Sequence, residues 1–208
     1  DAIFARLRTF ERHRNDERLA SIAEAKAPER LLDLAQELAL TSRTVPDWVG
    51  DVLHRASPDV KASVFERAWD TLQTGEFTHI APETLGPMAS RDQIVRSVAA
   101  WLQHCKDRRE KVSDAEQKKG RHLGYLLAQS SGSKLLSVVM ELGVAASYEE
   151  AAEMVELVLT RIGRDDGRVP GVNQWLPSVD EVRQLIALFE GKTETGQFRQ
   201  DKVFVYLC

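Results

Sequence analysis

The sequence predicts an all-α protein, and three observations predict it. Four serines are each followed three residues later by Glu or Gln and then by an apolar run: Ser90/Gln93, Ser113/Glu116, Ser147/Glu150 and Ser178/Glu181. At that spacing the serine oxygen accepts from the N3 amide, and the acid or amide side chain accepts from the serine's own N–H. Two of the four orphan donors at a helix start are then satisfied. Pro28, Pro46 and Pro58 each open an apolar-periodic stretch, as proline at N1 does because its missing N–H is not needed there. Between these starts, apolar residues recur at three- and four-residue spacing. The expected architecture is a multi-helix bundle of about eight helices in two packed halves. An extended or β-paired carboxyl-terminal tail should follow it.

Ile3, Phe4, Leu7 and Phe10 form the first stripe. The polar stretch Glu11 to Arg18 interrupts it before Leu19, Ile22 and Ala23 resume, as one half-exposed helix or two short ones. Leu31, Leu34, Ala35 and Leu38 mark the next helix, and Trp48, Val49, Val52 and Leu53 a short one. Val60, Val64, Phe65, Ala68, Trp69 and Leu72 mark a helix that Gly75 ends. Ile94, Val98, Trp101, Leu102 and Cys105 line a long helix, and Leu123, Leu126 and Leu127 a segment that Gly120 and Gly124 weaken. Leu135 to Leu142 is apolar on nearly every side and reads as the central buried helix. Met154, Val155, Val158 and Ile162 stripe the next helix, and Val182, Leu185, Ile186 and Phe189 the last, which stops at Gly191. The division expected is a helical subdomain at 1–75, a Gly/Pro-containing linker at 76–89, a second helical subdomain at 90–191 and an extended tail at 192–208.

A hydrophobic fraction of 43% across 208 residues supports a sizeable core, and 29% charged residues with 12 glycines and 7 prolines argue against a disordered or fibrous chain. No apolar run approaches the roughly 20 residues of a membrane span. The two cysteines, Cys105 and Cys208, do not make a disulfide framework. The compartment expected is therefore the cytoplasm, without a membrane partner.

Charge is uneven along the chain. Residues 89–125 carry 9 basic and 5 acidic side chains, whereas the flanking segments each carry a net −4. Lys106, Arg108, Arg109, Lys111, Lys118, Lys119 and Arg121 concentrate around a helix–helix corner with Tyr125 beside them. Such a corner can neutralise phosphates with salt-dependent affinity, and a tyrosine can stack on a base. The competing reading is a solvated corner balanced by Asp107, Glu110, Asp114 and Glu116, with Lys106/Glu110 as an i,i+4 pair. A helix-turn-helix reading of 135–142 and 147–162 would make Glu149, Glu150, Glu153 and Glu156 face phosphate, which disqualifies the second as a recognition helix.

Catalytic patterns are weak. Ser131-Gly132-Ser133-Lys134 matches the serine–x–x–lysine of acyl-enzymes, but the companion motifs are missing, so an N-cap at Ser130 or Ser131 is the simpler reading. Gly191-Lys192-Thr193 follows a helix rather than preceding one, so it reads as a glycine C-cap with a lysine near the helix end. The scattered histidines and cysteines have no metal-ligand spacing. No catalytic residue, cofactor or metal is assigned.

Two segments resist the helical reading. Trp175 lies in a Gly/Pro-containing loop with Arg168, where it serves either as an interface anchor or as a lid folded over the core. The tail ends Val203-Phe204-Val205-Tyr206-Leu207, β-branched and aromatic and suited to strand addition. Together they suggest a non-enzymatic interaction or adaptor protein, an accessory subunit of a larger bacterial assembly. Its partner, a second copy or another chain, would be met through Trp175, Arg168, Val203, Phe204, Val205 and Tyr206. The alternatives are a nucleic-acid-binding protein using the corner at 106–125, and a helical enzyme with an unrecognised site.

Overall fold

The computed structural model describes residues 2–9, 16–42, 45–74, 81–107, 113–163 and 175–193. Among them are eleven α-helices and no strand. They are α1 (Ala2–Arg8), α2 (Asp16–Lys26), α3 (Pro28–Thr41), α4 (Asp47–Arg55), α5 (Pro58–Thr74), α6 (Pro82–Leu85), α7 (Arg91–Asp107), α8 (Asp114–Ala128), α9 (Gly132–Ala145), α10 (Tyr148–Gly163) and α11 (Val179–Ala187). The all-helical class stands, while the helices are more numerous than the eight or so that the spacing suggested. The chain divides into two compact units, Asp1–Ala89 and Ser90–Cys208.

All four capping boxes form. Ser90 N–H donates to Gln93 Oε1 at 2.9 Å and Gln93 N–H to Ser90 Oγ at 3.3 Å. The same reciprocal pairs join Ser113 to Glu116, Ser147 to Glu150 and Ser178 to Glu181. Pro28 and Pro58 open their helices as expected, but Pro46 is the N-cap of α4 rather than its first residue. Its ψ of 151° is extended, which leaves Asp47 to begin the helix.

In the first unit, each helix packs on the next or the next but one. α2 lies against α1 and α3, α3 against α4 and α5, and α1 and α2 also meet α3 and α4 respectively. The polar interruption after Arg8 therefore separates two helices. The buried face of α3 carries Leu31, Leu34, Ala35, Leu38 and Ala39, and α4 adds Trp48, Val49 and Leu53. Arg30 stacks over the Phe4 ring at 4.5 Å, Arg8 pairs with Glu37 at 2.6 Å, and Arg55 with Glu24 at 3.1 Å. Within the stretch expected to be a linker, α6 and a 3₁₀ turn at Gly86–Met88 bury Pro82, Leu85 and Met88.

The second unit is centred on a different helix from the one expected. α10 buries Ala151, Ala152, Met154, Val155, Leu157 and Val158, and it packs on α7, α8 and α9. α9 buries Leu135, Leu136, Val138 and Val139 but exposes Ser137, Glu141 and Val144. Apolar content alone overstated its burial. Two charged side chains of α10 also go inside: Glu153 is 6% exposed and Arg161 8%. Arg161 Nε donates to the Ser130 carbonyl at 3.1 Å, which satisfies a backbone acceptor at the turn between α8 and α9.

Candidate functional site

α7 and α8 form an antiparallel pair whose contact is made by two glycines. A Cβ on Gly120 would collide with the His104 ring, and one on Gly124 would lie 2.9 Å from Trp101. The two glycines, one helical turn apart, therefore seat two rings that are also one turn apart on α7. Trp101 and His104 themselves lie with ring centroids 5.9 Å apart. The indole nitrogen of Trp101 is buried without a hydrogen-bond partner among the described residues.

Beside this pair, α7, α8 and α10 enclose a cleft of about 220 Å³. Its walls are Trp101 from α7, Arg121, Gly124 and Tyr125 from α8, and Glu153, Glu156, Leu157 and Thr160 from α10. Two aromatic rings and two carboxylates thus converge with one guanidinium. A smaller cleft of about 60 Å³ adjoins Lys106, Cys105, Ser147 and Glu150. There Lys106 Nζ meets Glu150 at 2.7 Å. The ammonium, together with the Ser147 N–H of the capping box, holds the Glu150 carboxyl down at about 2 from its ordinary 4.5.

The basic corner is thus divided. Lys106 is tied across to Glu150 on α10. Lys118 and Arg121 are exposed on α8, Lys119 is half-buried, and Tyr125 turns into the cleft with Glu153 and Glu156. Arg108, Arg109, Lys111 and Glu110 lie outside the described residues. The four-glutamate face of α10 is not one solvated ridge either, because Glu153 is internal.

Trp175 is half-buried and covers Gly132 at the start of α9, where any Cβ would strike its indole. The indole thereby occupies the ground of the serine–x–x–lysine match. Ser131 is the N-cap of α9 but makes no capping bond, and its Oγ lies 3.2 Å from Ser133 Oγ. The next residues of the chain are turned outward, with Leu176 and Val179 both 68% exposed. Arg168 and the tail residues Val203, Phe204, Val205 and Tyr206 lie outside the described residues. No family model, curated protein or solved structure matches this chain. Among the described residues no group of His, Cys, Asp and Glu could hold a metal ion, and no helix is long and apolar enough to cross a membrane.

The last helix does not run to Gly191 as expected: α11 ends at Ala187 with Leu188 as its C-cap, and a turn follows in which Gly191 has φ +73°, a left-handed conformation that glycine adopts without a Cβ penalty. It turns Lys192 back onto α9 rather than along its own helix. Lys192 Nζ donates to the carbonyls of Gly143 at 2.5 Å, Ala146 at 2.7 Å and Val144 at 3.3 Å. A lysine at a helix carboxyl end complements the negative pole of the dipole.

Proposed function

We propose that this chain is a non-enzymatic interaction protein, an adaptor or accessory subunit that meets a protein partner through the shoulder leading into α11. The observation that carries the reading is Leu176 and Val179, each 68% exposed, beside an indole fixed on Gly132. Apolar side chains exposed singly need no explanation. Two on either side of a capped helix start are different, because the Ser178/Glu181 pair fixes the chain direction between Leu176 and Val179. A surface held in its binding geometry loses less freedom on association.

The test uses the whole chain with Leu176→Asp and Val179→Asp together. Affinity purification with mass spectrometry, with and without nuclease, is read beside sedimentation. The expected result is a nuclease-resistant protein partner, or self-association, that the double variant loses. A variant that keeps every partner and the parent sedimentation overturns the reading. Partners lost only on nuclease treatment favour the basic residues of α8 instead.

A further inference from the structure

We propose that α11 is a hinged arm latched by Trp175: its carboxyl end is the pivot, and its amino end swings clear of α9 when the indole leaves Gly132. The arm regulates the shoulder at Leu176 and Val179; that role rests on the partner reading above, whereas the motion itself does not. α9 and α11 run side by side in the same direction. Trp175 lies on Gly132 at the start of α9, and Leu188 on Gly143 near its end. These two glycines are eleven residues apart, about three turns, and so share one face of α9. Each is a seat for a side chain of the arm, since a Cβ at either position would collide with its occupant.

The two ends of the arm are held unequally. At the carboxyl end Leu185, Leu188 and Phe189 are buried, and the Phe189 ring meets Tyr148 edge-on at 5.2 Å. Lys192 Nζ adds its bonds to the carbonyls of Gly143, Val144 and Ala146. At the amino end Leu176, Ser178, Val179 and Asp180 are exposed, and the indole itself is half-buried. Opening therefore starts there, because the segment that buries less surface has the lower local opening free energy. The arm lifts as a helix rather than unravelling, since its Ser178/Glu181 box is closed by residues three apart and takes nothing from α9. Lifting frees the indole beside Leu176 and Val179, and so adds to the shoulder a residue type enriched among binding anchors.

The test is ¹⁹F NMR of the whole chain labelled with 5-fluorotryptophan, the Trp175 signal being assigned by its loss in Trp175→Phe. In Gly132→Ala that signal should move to a solvent-exposed position, shown by a larger H₂O/D₂O isotope shift, while the Trp48, Trp69 and Trp101 signals stay in place. Amides from Val182 to Leu188 should keep their parent exchange rates within about threefold. Lys192→Met, at the pivot, should leave the Trp175 signal at its parent position. In the parent chain, relaxation dispersion is expected at Trp175 and not at Trp101, on the timescale of hinge motions; this readout stands even if Gly132→Ala does not fold. An unmoved indole in Gly132→Ala, exchange that accelerates through α11 along with the indole shift, or a flat dispersion profile at Trp175 overturns the proposal. So does a Lys192→Met chain whose indole moves as far as in Gly132→Ala, because the arm then detaches whole and has no hinge. These readouts use the free chain, so the arm can fail while the partner assay succeeds, and a missing partner leaves the motion standing.

Discussion

Individual residues make the sharpest claims. Gly132→Ala should drive the Trp175 indole off its seat, because the added carbon and the ring cannot share the space. Overpacking of this kind costs about 1–3 kcal/mol. A lowered melting temperature and a red-shifted tryptophan emission are the expected readouts, and an unshifted spectrum would place the indole elsewhere. Lys192→Met should cost about 1–2 kcal/mol, since three carbonyls at the end of α9 lose one charged donor together. Denaturant unfolding measures it. Little of this was legible beforehand. Gly120 and Gly124 read as weak helix formers because propensity is a property of the isolated helix, whereas their use as seats for His104 and Trp101 is a property of the pair. Lys192 was read correctly as a helix-end cation but on the wrong helix, because sequence proximity says nothing about which carbonyls come near.

At the scale of elements, helix starts were the most readable feature, and the reason is physical. A capping box is closed by residues three apart, so Ser90/Gln93 and its three counterparts need no tertiary information. Loss of one should be felt locally: Ser178→Ala is expected to cost about 0.5–2 kcal/mol and to speed amide exchange through α11 rather than α9. The Glu150 box is also joined to α7 by Lys106 and therefore responds to pH. Its carboxyl lies at about 2 when folded against an ordinary 4.5. The stabilisation is complete above roughly 4.5, and it is lost as pH falls from there through about 2. With its side chain 26% exposed, solvent screening limits the effect to roughly 1–2 kcal/mol. Urea midpoints between pH 6 and 2 should fall more steeply for the parent chain than for Glu150→Gln. Parallel slopes would remove Lys106 and Glu150 from the acid response. What failed at this scale were short or irregular elements. Pro82, Gly86 and Pro87 look like breakers, yet α6 and its 3₁₀ turn need only four and three residues. The cleft was hidden for another reason, since its walls come from three helices that no periodicity rule relates.

For the molecule as a whole, the division into Asp1–Ala89 and Ser90–Cys208 predicts separable loss of structure. Phe65 is 1% exposed, and Phe65→Ala should cost about 3–5 kcal/mol. Hydrogen exchange should then accelerate through α2 to α5 while α7 to α10 keep their parent rates. Uniform acceleration would show one cooperative body. Burial at this scale was misjudged from sequence where it depended on neighbours: α9 is the more apolar helix, but α10 is the one surrounded, and so it carries Glu153 and Arg161 inward. The step-by-step packing of α1 to α5 also bears on how the chain is made. Because each of those helices rests on one that is already present or next to emerge, the first unit can consolidate behind the ribosome, before the glutamates of α10 have been translated.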